Sequence, residues 1–186
     1  NTAVGYYALP FATGSSNTAL GANAMFETTV GSNNTGIGKT VLYHNVGGFE
    51  NTAIGFESMY HNVEGAHNTA IGVQSLYNNR GNSNVGIGYN ALYANTTGYG
   101  NVGIGNFALS ANLVGLENTA VGYYALPFAT GSSNTALGGN ALFETTTGDK
   151  NTAVGRNALY GNLVGTENTA IGYNASQNNA EGDYNT

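Results

Sequence analysis

Apolar side chains return along this chain singly and at a fixed interval, in neither helical nor alternating runs. A Val, Ile or Leu sits inside the stretch N-[TV]-[AG]-[VIL]-G, which begins at Asn1, Asn17, Asn34, Asn51, Asn68, Asn84, Asn101, Asn118, Asn134, Asn151 and Asn168, with a twelfth copy starting at Asn185. A second apolar position follows five residues after the first, Leu or Met in every unit until Ser176. Most of what lies between is Asn, Thr, Gly, Ala, Ser or a lone aromatic. Written as one unit, the chain reads N-T-A-I-G-x-N-A-L-Y-x-N-x-x-G-x-x, repeated eleven times at 16 or 17 residues. Three units are a residue short before their late Gly, those starting at Asn1, Asn68 and Asn118. A helical hairpin repeat needs about 30 residues or more, so the unit is too short for one. β-Branched residues punctuated by Asn and Gly predict a short strand and turns instead. The expected fold is therefore all-β: a parallel β-solenoid of eleven coils, with neighbours about 4.8 Å apart and a length of about 50 Å.

Stacking gives each constant position a role. Asn repeated in register predicts an amide ladder, and Asn also accepts the left-handed backbone of a corner. Constant Gly predicts positive φ or close backbone approach. With period-2 alternation in T-A-I-G, Thr and Ile share one face while Ala and Gly share the other. Taking the aliphatic columns at positions 4 and 9 as core, Ala and Gly would form a flat external strip. Two buried aliphatic side chains supply about 3–6 kcal/mol per coil. Ordering the backbone costs about 1–2 kcal/mol per residue, so ladders, neighbours and further chains must contribute. A strip of small residues suits close packing of another chain, and a homotrimer is the expected assembly.

Composition removes other classes. The chain has no Cys, so neither disulfides nor thiolate metal sites are available. Charged residues are 8% of the total and the formal charge is −6; Lys39, Arg80, Lys150 and Arg156 are the only Lys or Arg. Four dispersed cations make no phosphate-tracking stripe, which argues against nucleic acid. No apolar run approaches the roughly 20 residues of a membrane-spanning helix, so no membrane insertion by this segment is expected. The twenty-one residues from Asn1 to Gly21 recur unchanged from Asn118 to Gly138. Such a copy is what duplication of a block of coils leaves behind, and it lengthens a fibre without adding a pocket. The expectation is one repeat array, 1–186, cut from a longer one.

The runs N-T-A-I-G and A-L, with a Gly before the next N-T, resemble the head repeats of trimeric autotransporter adhesins, and equally the repeats of bacteriophage tail fibres and bacterial surface fibres. The resemblance covers all eleven units. It implies a left-handed parallel β-roll, three chains to a rod, displayed outside the cell or on a virion. It places core positions on residues such as Thr52 and Ile54, and Thr69 and Ile71. The coils here are longer than the usual adhesin-head coil, and Thr often stands where the family is apolar. The implied function is a stiff extracellular spacer or adhesin stalk, with a host-surface or carbohydrate ligand as a further partner.

Candidate chemistry is sparse. His44 and His61 share a column in successive coils, one coil after Glu27, and are the candidate metal ligands; the alternative is a solvated polar corner. Phe26, Tyr43, Tyr60, Tyr77 and Tyr93 form an aromatic column, read first as a stabilising ladder and second as a carbohydrate platform built on Tyr43, Tyr60, Tyr77 and Tyr93. Loop threonines such as Thr28, Thr29, Thr96 and Thr97 are candidates for O-linked sugar. No nucleophile elbow, dinucleotide fingerprint or paired acid–base set is present, so neither enzyme nor cofactor is expected. A regular Thr column is also what an ice-binding solenoid presents. Thr2, Thr18, Thr35, Thr52 and Thr69 begin one before Val85 and Val102 interrupt it.

Overall fold

The computed structural model describes residues Asn1–Thr186. Each repeat contributes one three-residue strand: β1 (Thr2–Val4), β2 (Thr18–Leu20), β3 (Thr35–Ile37), β4 (Thr52–Ile54), β5 (Thr69–Ile71), β6 (Val85–Ile87), β7 (Val102–Ile104), β8 (Thr119–Val121), β9 (Thr135–Leu137), β10 (Thr152–Val154) and β11 (Thr169–Ile171). They form one eleven-stranded parallel sheet in sequence order, each strand in register with the next, Thr52 on Thr69 and Ile54 on Ile71. The molecule is a parallel β-solenoid. Strand pairing supplies only 20 of its 113 backbone hydrogen bonds, so coils are stitched together around the rest of their circumference too. His44 N–H, for example, donates to the Tyr60 carbonyl at 2.9 Å and Asn23 N–H to Tyr6 at 2.8 Å.

The strand faces the opposite way from the sequence expectation. Ala53, Ala70, Ala120, Ala136 and Ala153 are fully or almost fully buried, whereas Val4, Leu20, Ile71, Leu137 and Ile171 are 38–72% exposed. Thr52, Ile54 and Thr69, assigned to the core by the family resemblance, lie half-exposed on the outer face beside exposed Ile71. The reason is volume. One large side chain per coil fills the interior, the Met or Leu of position 9: Met25, Leu42, Met59, Leu76, Leu92, Leu109, Leu126, Leu142 and Leu159 are all completely buried. A Cβ added at Gly36 would lie 2.9 Å from Met25 Cε and 3.2 Å from Val41 Cγ1; one at Gly103 would lie 3.1 Å from Leu92 Cγ. Position 3 can hold nothing larger than Ala, and alternation then sends Thr and Ile outward. The Ala/Gly strip is interior and offers no external interface.

Asn fills the rest of the core, in two columns. At position 1, the Asn34 carboxamide oxygen accepts Asn51 N–H at 3.0 Å, while its Nδ2 donates to the Gly48 carbonyl at 2.8 Å. That column is also an amide ladder, with Asn51 and Asn68 Nδ2 each donating to Oδ1 of the Asn before at 3.1 Å; at position 12 the column Asn45, Asn62, Asn79, Asn95, Asn112 is a tighter one, at 2.7–2.9 Å. Both columns converge on the late Gly: the Gly65 carbonyl accepts from Asn51 Nδ2 at 2.7 Å and Asn62 Nδ2 at 2.8 Å, using both lone pairs. A Cβ at Gly65 would meet the Gly81 carbonyl at 2.7 Å, so this Gly is fixed by close approach. The earlier Gly is fixed by conformation as well, with φ of 133° at Gly55.

Corners are turned by left-handed residues that are mostly not Gly. Positions 7, 9 and the last of the coil have positive φ throughout, as at Glu57 (54°), Met59 (49°) and His67 (59°). The constant Asn of position 1 is not among them, contrary to the corner role expected for it. A bulky residue in this region carries about 1–2 kcal/mol of strain, here offset by full burial of the position-9 side chain.

Candidate functional site

Three features distinguish the surface: the outward strand face, the aromatic column with its histidines, and a notch at the fifth coil. The strand face presents Thr, or Val at Val85 and Val102, beside an aliphatic residue in every coil. Next to it, position 6 adds exposed Tyr6, Phe56, Val73, Tyr89, Tyr123 and Tyr173. Charges at position 6 are confined to Lys39, whose ammonium lies 5.9 Å from the centre of the Phe56 ring, and Arg156. At about 4.8 Å per coil the strip runs about 50 Å and is about 10 Å wide, or about 500 Å² in projection. That is within the range of about 300–600 Å² at which an apolar patch on a monomer is often functional.

The aromatic column forms as expected. Phe26, Tyr43, Tyr60, Tyr77 and Tyr93 stack with centroids 5.1–5.2 Å apart and planes within 15°. Ring faces inside this ladder are covered by one another, which leaves edges rather than faces to a ligand. The exception is Tyr93, which ends the ladder because the next coil carries Ser110 in the same column. Burial raises the Tyr60 and Tyr77 phenols above the ordinary value of 10.0, with the neighbouring Tyr and Glu57 charges adding to it.

His44 and His61 are brought together, stacked at 5.0 Å with planes 2° apart, each edge-on to the tyrosines beside it. His44 Nδ1 lies 2.6 Å from Glu27 Oε2. Parallel rings aim their lone pairs along parallel directions and not at a common point. No group of three or more His, Asp or Glu side chains is placed to hold a metal ion. Partial burial lowers the His61 pKa from 6.5, helped by His44 and Arg80. His67 stands apart, 3.1 Å from Glu50. Of the loop threonines, Thr28 is completely buried and is not a surface acceptor for sugar.

The notch was not singled out by the sequence reading. Coil five is one of the short ones, and its loop carries exposed Arg80, which lines two surface clefts. One, of about 300 Å³, is lined by His61, Asn78, Arg80 and Thr96. The other, of about 380 Å³, is lined by Val63, Glu64 and Arg80. The available signal was the coincidence of a one-residue deletion with an isolated cation.

The fold defines the class: a parallel β-solenoid repeat protein. Comparison with protein-family models, with curated proteins and with solved structures gave no match to this chain.

Proposed function

We propose that this chain is a structural protein, a segment of an extracellular fibre shaft or stalk on a cell or virion surface, in which identical chains associate through the outward Thr/aliphatic face. The observation that supports it most is that face itself: eleven in-register aliphatic residues, flanked by Thr or Val, kept out of the core by lack of room. A surface of this kind asks for a partner that is straight, apolar and periodic at the same coil spacing. A second copy of this chain meets all three requirements. Because charge is nearly absent from the strip, the net charge of −6 does not oppose self-association there. A homotrimer closes such a strip around one axis and gives a rod of uniform stiffness, whose job is length. Any host-surface contact belongs to this reading as an addition.

A second reading is supported by one specific observation. Thr stands at position 2 in nine of the eleven coils and is at least partly exposed, as an ice-binding face requires.

Light scattering on the full chain separates the two. The fibre reading expects the mass of three chains, and it expects Ile54→Glu with Ile87→Glu to give a monomer with an unchanged circular dichroism spectrum. A wild-type monomer would overturn the fibre reading, and thermal hysteresis in that monomer would establish the other.

A further inference from the structure

The notch at coil five is a polar recess with unspent hydrogen-bonding capacity. The three ion pairs of the molecule join His44 to Glu27, His67 to Glu50 and Lys150 to Glu167, so Arg80 is in none of them. Asn78, His61 and Arg80 make no side-chain hydrogen bond within the chain, and all three line the same cleft. Thr96 differs. Its hydroxyl donates to the Leu113 carbonyl at 2.6 Å, which leaves lone pairs and no proton for a ligand. Two features of the coil stack open the recess. The loop of coil five that carries Arg80 is one residue short, and the column of His44 and His61 shrinks to Asn78 and then Ala94. Close by, in the same coil as Thr96, Tyr93 ends the aromatic ladder.

We propose that this notch binds a carboxylate-bearing monosaccharide unit, a hexuronate, with Arg80 and His61 holding the carboxylate, Asn78 donating beside them and Thr96 accepting from a sugar hydroxyl. A guanidinium fork and an amide are the donors a carboxylate needs. An acceptor whose own proton is already committed selects a hydroxyl-bearing ligand over a bare anion. The volume sits at the lower end of small-molecule sites, about 300–1,000 Å³, which suits one sugar unit rather than a long chain. Glu64 lies in the neighbouring cleft on Arg80, and its charge directs the carboxylate to the His61 side. His61 is also faced by His44, Tyr60 and Tyr77, which supply no negative charge near neutrality, so a bound carboxylate raises its pKa. The inference rests on the cleft alone and is independent of how the chain assembles.

The test is titration of the full chain with D-glucuronate, D-glucose and acetate, followed by the imidazole proton signals of His61 and by calorimetry. Saturable glucuronate binding is expected, about tenfold tighter than either glucose or acetate, with a rise in the His61 pKa on saturation. Arg80→Gln, at an exposed position, should fold normally and weaken glucuronate by about tenfold or more. Acetate binding as tightly as glucuronate would mean a simple anion site and overturn the sugar assignment. Unchanged affinity in Arg80→Gln, or no saturation, would overturn the site.

Discussion

The position-12 Asn ladder has a break that can be mended with one side chain. Asn112 Oδ1 is buried without a partner, because the next coil carries Ala129 where the ladder would supply an amide. One coil further on, the Thr145 hydroxyl is also buried and unpartnered. Thr28 repeats the second half of this defect, next to Ala12, in the other copy of the same block. Asn79 proves that a short coil accommodates the amide, since it donates to Asn62 Oδ1 at 2.9 Å and to Gly81 at 2.8 Å. Ala129→Asn therefore offers a donor to Asn112, an acceptor to Thr145 and a second donor to the Gly131 carbonyl. Satisfying two buried polar atoms should stabilise the protein by about 1–2 kcal/mol. Thermal unfolding should then rise by about 2–8 °C, at about 2–4 °C per kcal/mol for a chain of this size. A lowered midpoint would mean that the coil-eight corner, with Pro127, has no room for the amide. The pattern that names this residue was in the sequence, as an N three residues before Gly in most units. What was not legible is that the side chain is interior, since Asn in a loop ordinarily reads as a turn former.

At the scale of the element, the sequence pattern places a short strand in each repeat, as the structure has it, but gets its facing wrong. Hydrophobicity ranks Ile above Ala for the interior, and alternation alone cannot say which face is inside. Volume decides it, and volume is set by position 9 of a neighbouring segment that the strand pattern does not contain. The aromatic ladder was legible because a fixed column in a stacked coil leaves a ring nowhere to go except onto the next ring. That ladder also makes a pH prediction. His61 has a depressed pKa, so the unfolded chain binds its proton first; stability should fall as pH drops below about 6.5 and through the folded value. Tyr60 and Tyr77 have raised values, so the unfolded chain ionises first; stability should fall as pH rises above about 10. Urea midpoints across this range should show both limbs. His61→Asn, which places in coil four the residue Asn78 already supplies in coil five, should flatten the acid limb and leave the alkaline one. An acid limb unchanged in that variant would assign it to the carboxylates instead.

For the whole molecule, each coil touches only its neighbours, so stability should be close to a sum of coil and interface terms. This predicts that coils are removable as units. Deleting residues 51–67 joins Glu50 to Asn68 and brings every column back into register: Asn34 beside Asn68, Tyr43 beside Tyr77, Asn45 beside Asn79, Gly48 beside Gly81. The shortened chain should keep the circular dichroism of the parent per residue and fold cooperatively. Its urea m-value should fall in proportion to the surface lost, about one part in eleven. Deleting only residues 51–58 removes fewer residues and should do far more harm. It sets Met59 where Asn belongs, displaces the buried Met from the interior, and removes one amide from the Asn column. The comparison is informative because the two deletions differ in the opposite sense from their lengths. If the short deletion were the milder, the coil would not be the unit of stability, and the registers described for β4 and β5 would not be what holds this protein together.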